Sequence, residues 1–427
     1  MNLHDDRLHI STLANGVRVL TIAMPQVESA SVALFVRSGS AHETPALNGI
    51  GHFIEHMLFK GTAGRDARRI NLDAENLGAE VNAHTDKDHT AFYMHGLAAD
   101  AGRLLAQLGD LLSAPVFPAD ELERERQVLL HECTEDEDDP LSNAFKLFDL
   151  ACWGRHPLAQ GVIGPRKNLQ KLQRADLVAH VQGLYTGHNV VVAVAGAVVH
   201  DDMHRAAQAA LGGLPAGQPN TVAPAVYQGG VRTRRLAGSS QSHLVLGFAT
   251  PSLAEEDLAC TVAAAVFGEG MSSPLLQTVR EQQALAYYTG CSADLLAPAG
   301  QWVVEASTSP AQLEPLLRAV LGLLTRHAQQ VDEADLQRAQ RQLLVRRLRA
   351  HERPYRRLED AALDLLARGA VRSTAQWRAA VMAVTAEQVR AAFARMLASR
   401  PTVAVAGALP RAATQRVKDT LAQAGLE

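Results

Sequence analysis

The sequence predicts an α+β protein built by tandem duplication, with two similar domains that each pack helices on a mainly antiparallel sheet. Three observations carry this. SVALFVRSG from Ser31 is echoed by SHLVLGFAT from Ser242, and VVVAVAGAV around Gly196 by TVAVAGAL around Gly407, both pairs 211 residues apart. GGLPAGQPNTVAPAVYQGG, between the copies, is rich in Gly and Pro, as linkers are. A chain of 427 residues is long for one domain and fits two of about 200. The expected division is a first domain over 1–213, a linker over 214–230 and a second domain over 231–427.

Taken in order, Asn15-Gly16 is a turn signal ahead of a strand over 17–23, and a second strand follows over 31–38. A helix over 47–59 is stopped by Gly61. Next come a helix over 67–77, a hairpin over 80–95, and helices over 97–113, 119–134, 140–153 and 175–185 before an apolar strand over 189–198. In the 119–134 helix, Asp120 after Pro118 is the expected N-cap, and Leu122, Val128, Leu129 and Leu130 supply apolar positions. Each copy is expected to end in such a strand and a final helix.

The formal charge is -4 and the pI about 6.5, so no basic balance suggests a nucleic-acid partner. Cys133, Cys152, Cys260 and Cys291 show neither paired metal spacing nor a dense framework, and free thiols in a reducing compartment are expected. On a helix, Cys133 would point about 100° away from its neighbour Glu132. MNLHDDRLHISTLANGVRVLTIAMP has no basic segment before an apolar one, and no run of 18 apolar residues occurs anywhere. A cytoplasmic location without a membrane partner is the expectation.

LNGIGHFIEHMLFKG sets His52 and His56 one helical turn apart with Glu55 beside the second. Residues at i and i+4 share a helix face. Two neutral imidazoles there can close on one divalent cation, and Glu55 can take a proton from its water. The order His-x-x-Glu-His is the inverse of the His-Glu-x-x-His zinc motif. Histidine pairs also occur by chance on packed or exposed helices, and a second segment, FPADELERERQVLLHECTEDEDDP, is what strengthens the pattern. It carries Glu125 and Glu132 seven residues, about two turns, apart on one face. A carboxylate commonly completes a two-histidine catalytic zinc set.

HFIEHMLFKGT, AEVNAHTDKDHTAFYM and ERERQVLLHE, in this order and spacing, resemble the amino-terminal half of the pitrilysin and insulysin family of zinc peptidases. The likeness is strongest to the short two-domain branch with the mitochondrial processing peptidase beta subunit and its bacterial relatives. It covers nearly the whole chain, HPLAQGVIGP included. The resemblance implies one zinc ion per chain on His52, His56 and Glu132, with Glu55 as general base. It also makes Glu125 the acid that the family keeps seven residues before its metal glutamate. Glu132 rather than Glu135 is implied because it ends the VLLHE run.

In the second half, FGEGMSSPLLQTVREQQALAYYTG resembles a segment whose arginine and tyrosine bind substrate backbone and polarise the scissile carbonyl; the counterparts are Arg280 and Tyr287. Without the family, Arg280 closes a helix and Tyr287 opens an apolar, strand-like run. Two departures stand out. Ala284 occupies a position where the family often has glycine, and the glycine-rich loop of the non-catalytic processing subunit is missing, with only Gly268 and Gly270 near Met271.

Asn82 and Ala83 match the family's edge strand beside the metal, where an extended peptide can add as a further strand. They are expected to contact substrate. His84, His89 and His95 are expected to be structural or substrate-lining. The acidic run ECTEDEDD resembles a region near which processing peptidases bind basic residues, so a mild preference for Arg or Lys near the cut is one expectation and a solvated helix end the plainer one. Arg346, Arg347, Arg349, Arg353, Arg356 and Arg357 read as a solvated face, helical up to Pro354, because no aromatic interleaving accompanies them.

The expectation is therefore a zinc-dependent endopeptidase for short or unfolded peptides, each chain forming half of a clamshell chamber that excludes folded proteins. Longer relatives fuse four such domains, so a homodimer is expected, or a heterodimer with a metal-less homologous subunit. The rival is a non-catalytic structural or partner subunit of a peptidase or larger complex. Such relatives typically lose ligands, and this chain keeps all of them.

Overall fold

Two sheets with matching strand order organise the chain, whose computed structural model describes residues 7–255 and 257–426. The first holds β1 (Leu8–Thr12), β2 (Arg18–Ala23), β3 (Ser29–Val36), β4 (Glu80–Thr85), β5 (Thr90–Leu97) and β6 (Val190–Gly196), ordered β1-β2-β6-β3-β5-β4. The second holds β7 (Gly230–Arg235), β8 (Ser242–Thr250), β9 (Tyr288–Leu295), β10 (Gly300–Thr308) and β11 (Thr402–Gly407), ordered β7-β11-β8-β10-β9. In each sheet one pair is parallel, β2 with β6 and β7 with β11, and the rest are antiparallel. The echoed segments occupy equivalent places, β3 with β8 and β6 with β11, so the duplication is real. The strand β1, which the sequence reading omits, pairs in register with β2.

The first unit comprises the residues up to Cys133, Gln160–Ala223 and Arg349–Ala375. Its helices include α1 (Ile50–Leu58), α2 (Ala67–Glu75), α3 (Ala101–Ser113) and α4 (Ala119–Asp138), the last passing its boundary. Because successive strand residues face opposite ways, Val32, Leu34 and Val36 join α1 and α3 in one core, while Ala33 and Phe35 meet the Pro354–Arg368 helix in another. A sheet covered on both faces reads as a continuous apolar run, as β6 does.

The second unit comprises Thr134–Ala159, Pro224–Leu348 and the residues from Gln376. Helix α5 (Pro140–Trp153) lies against β11 and β8, with Arg234 Nη1 donating to Asn143 Oδ1 at 2.7 Å. Gly247 on β8 is required there, since a Cβ would meet the Phe148 ring at 2.6 Å.

Packing therefore does not follow the contiguous 1–213 and 231–427 halves expected from the repeat. The 211-residue offset carries 140–153 onto 351–364, so α5 and the Pro354–Arg368 helix are repeat equivalents, and each packs with the sheet of the other copy. An amphipathic face encodes that it must be buried but not against which sheet. The expected linker is partly anchored too: Gly187 donates to the Pro215 carbonyl and Asn220 to that of Arg37. No helix among the described residues is long and apolar enough to cross a membrane.

Candidate metal centre

Helix α1 divides its faces by residue type. Ile50, Phe53, Ile54, Met57 and Leu58 are buried, whereas His52, Glu55 and His56 lie on the half-buried side. The helix starts at Ile50 rather than at 47 because Gly49 takes φ 100°, a left-handed conformation that favours glycine. Space enforces the same choice: a Cβ on Gly49 would lie 2.5 Å from the Ile163 carbonyl oxygen.

Helix α4 supplies the carboxylates. It continues through Asp138, so the acidic run is helical rather than a helix end at 134. Arg126 is buried, lies over the Phe53 ring and donates to the carbonyls of Leu169 and Leu172, tying α4 to its surroundings. Glu132 then faces both histidines, with Oε2 3.7 Å from His52 Nε2 and Oε1 3.8 Å from His56 Nε2. Ligand atoms of His52, His56 and Glu132 all lie within 4.8 Å of one another. One turn-pair earlier, Glu125 Oε2 accepts from His56 Nδ1 at 3.0 Å, and Glu125 Oε1 is 2.6 Å from Lys60 Nζ. Burial raises the Glu125 pKa, but the Lys60 and His56 contacts outweigh it and hold this carboxyl below the usual range.

The set fits a divalent ion. Burial, with the neighbouring His56 charge, pushes the His52 pKa down to about 4, so this imidazole is neutral at pH 7, as a metal ligand must be. His52 Nδ1 is buried without a hydrogen-bond partner among the described residues, while its Nε2 faces Glu132. Two imidazoles and a carboxylate are a common catalytic zinc donor set.

Glu55 is anchored from the hairpin rather than from α4. Thr85, at the end of β4, donates its hydroxyl to Glu55 Oε2 at 2.6 Å. Burial raises the Glu55 pKa, and the Thr85 hydrogen bond and the His56 charge oppose it. β4 is a sheet edge, as expected for the strand of Asn82 and Ala83; Asn82 is exposed and its Oδ1 accepts the Ala83 N–H at 2.8 Å. His84 of β4 and His89 beyond the turn bring their Nε2 atoms within 3.2 Å, and His89 Nδ1 contacts Asp88 at 2.7 Å.

Glu43, Thr85 and Lys60 escaped the sequence reading. Glu43 is buried and accepts from Gly49 N, Gly51 N and Asn48 Nδ2, each at 2.8 Å, so it caps the start of α1. An acid shortly before a helix start was the available signal. Burial outweighs these donors and raises its pKa to about 7. A carboxyl raised in the folded state contributes stability that is complete below its unfolded pKa, near 4.5, and is lost as the pH rises through about 7. The stability of Glu43→Gln relative to wild type should therefore improve by on the order of 3 kcal/mol between pH 4 and pH 8. Urea unfolding of both proteins at the two pH values measures this, and a constant difference would contradict it.

Arg280 and Tyr287 belong to the second unit. Arg280 lies in the π-helical turn Gln277–Gln282, its Nε 3.6 Å from Glu281 Oε1, and Tyr287 immediately precedes β9 with 83% of its surface exposed. Between them Ala284 takes φ 48°, which costs an L-residue roughly 1–2 kcal/mol. That backbone explains why a glycine suits the position. The repeat offset maps His52, Glu55 and His56 onto Ala263, Val266 and Phe267 of the Ala259–Gly268 helix, all fully buried, with Phe267 5.3 Å from the Trp302 ring. One copy keeps the ionisable face; the other fills it with core.

A duplicated α+β chain with two imidazoles, a carboxylate and a separately held second carboxylate in one unit is built as metal-dependent hydrolases are. Residues 18–166 match the profile of Insulinase (Peptidase family M16), and residues 171–343 that of the Peptidase M16 inactive domain. An "Uncharacterized zinc protease" of Rickettsia felis is 32% identical over 366 residues, which cover 85% of this chain and 89% of the relative. Another, from Mycobacterium tuberculosis, is 33% identical over 404 residues, covering 93% and 92%. The crystal structure of a peptidase M16 inactive domain from Pseudomonas fluorescens has the same fold, with a TM-score of 0.85 at 21% identity over 94% of this chain and 98% of its own. The chain belongs to peptidase family M16, the insulinase family, with its short two-domain architecture.

Proposed function

We propose that this protein is a zinc-dependent endopeptidase that hydrolyses short or unfolded peptides. The observation that carries the reading is the convergence of His52, His56 and Glu132 ligand atoms within 4.8 Å, with Glu55 held beside them by Thr85. Zinc held by His52, His56 and Glu132 would supply Lewis acidity toward a water molecule and a carbonyl. His52 binds as a neutral imidazole. His56 has Nδ1 engaged by Glu125, which leaves Nε2 as its donor atom.

Glu55 takes the proton from the water as it attacks the peptide carbonyl and passes it to the departing nitrogen. Its burial makes it a stronger base than a surface carboxylate. Asn82 and Ala83 take peptide backbone along the β4 edge, by strand addition. Arg280 and Tyr287 are assigned to substrate backbone and the oxyanion, for which an exposed guanidinium and phenol are suitable donors. Because the zinc and Arg/Tyr motifs are both intact in one chain, the active form is a homodimer rather than a heterodimer with a metal-less homologous subunit.

Zinc content and cleavage of a quenched, unstructured peptide by the chain purified alone test this. About one zinc per chain, cleavage abolished by a chelator and restored by zinc, and a mass twice 45.8 kDa are expected. Absence of bound zinc would overturn the enzyme reading. Bound zinc without cleavage would overturn the homodimer and point to a missing partner subunit.

A further inference from the structure

The geometry points to Lys60 as a positioning residue for the metal centre: through Glu125 it sets how firmly His56 holds zinc. The inference rests on the zinc reading above. His52 and His56 differ in support, since His52 Nδ1 has no hydrogen-bond partner among the described residues and His56 Nδ1 has Glu125 Oε2 at 3.0 Å. The second oxygen of that carboxylate is occupied as well, by Lys60 Nζ at 2.6 Å.

Lys60 follows α1 by two residues, and its N–H bonds the Met57 carbonyl at 3.1 Å, so its backbone is tied to the helix that carries both histidines. It stands four residues after His56. One carboxylate from α4 thus bridges two side chains at the end of α1, and these two helices carry all three zinc donors. Remove the ammonium and Glu125 Oε1 loses its partner, the carboxylate gains freedom to turn, and the His56 ring loses its fixed acceptor. The side chains are only 28% and 10% exposed, so the contact is less screened than a surface ion pair.

Partners behind a metal ligand typically change metal affinity 10–100-fold when removed. Lys60→Met is therefore expected to weaken zinc binding by roughly tenfold or more in chelator competition, with Lys60→Arg restoring it to within a few-fold. Lys60→Gln serves as a second variant should the first fail to fold. Zinc affinity in Lys60→Met equal to wild type would overturn the proposal. So would a loss of metal-free stability with affinity unchanged, which is the signature of a purely structural contact. Failure of the wild-type chain to bind zinc would instead remove the reading on which the proposal rests.

Discussion

Replacing Glu55 by glutamine is expected to leave zinc binding intact and to lower kcat/KM by roughly 10²–10⁴-fold, the range that a positioned general base contributes. Glutamine has the same length, and its carbonyl oxygen can still accept the Thr85 hydroxyl that holds Glu55 Oε2 at 2.6 Å. Among the described residues the hydrogen bonds and ion pairs of His52, His56 and Glu132 do not involve Glu55. What disappears is a group able to take a proton from water. Zinc content and peptide cleavage measured on one preparation check both halves, and turnover at the wild-type rate would show that Glu55 is not the base.

Glu132→Gln should behave in the opposite way and lose the metal first. Its carboxylate oxygens face both Nε2 atoms at 3.7 and 3.8 Å, and a neutral amide is a far weaker donor than a carboxylate. Zinc affinity is expected to fall by more than the roughly 100-fold upper range for residues behind a ligand. The fold should tolerate the change because the side chain is 35% exposed and glutamine has nearly the same size. Excess zinc should therefore recover part of the turnover of Glu132→Gln and none of that of Glu55→Gln. Undiminished zinc affinity in Glu132→Gln, measured by chelator competition, would remove Glu132 from the donor set.

The duplicated sheets were legible because β3 and β8, and β6 and β11, repeat the same apolar segments, and strands covered on both faces cannot vary far from Val, Ala and Leu. The α1 face was legible for a similar reason: i and i+4 spacing fixes how His52 and His56 project whatever the rest of the chain does. Glu125 was readable as a neighbour of the centre because seven residues before Glu132 is the same helix face. The acidic run misled in one respect. Residues 135–138 read as past the helix end, yet they extend α4.

Hairpin position told that β4 would follow α2, but not that Thr85 would turn its hydroxyl onto Glu55. Glu43, Lys60 and Thr85 carry no periodic signature, since Lys60 and Thr85 each contact a carboxylate distant in the chain and Glu43 gathers three donors from the turn that opens α1. The exchange of α5 and the Pro354–Arg368 helix between units is the larger case of the same limit. Local spacing dictates which side chains share a helix or strand face, and so the pairing of His52 with His56 and the repeat follow from residues alone, whereas the edge position of β4 was implied by the family resemblance. Which helix meets which sheet, and which carboxylate meets which imidazole, depends on surfaces brought together by burying apolar area, a non-directional force that no short segment encodes.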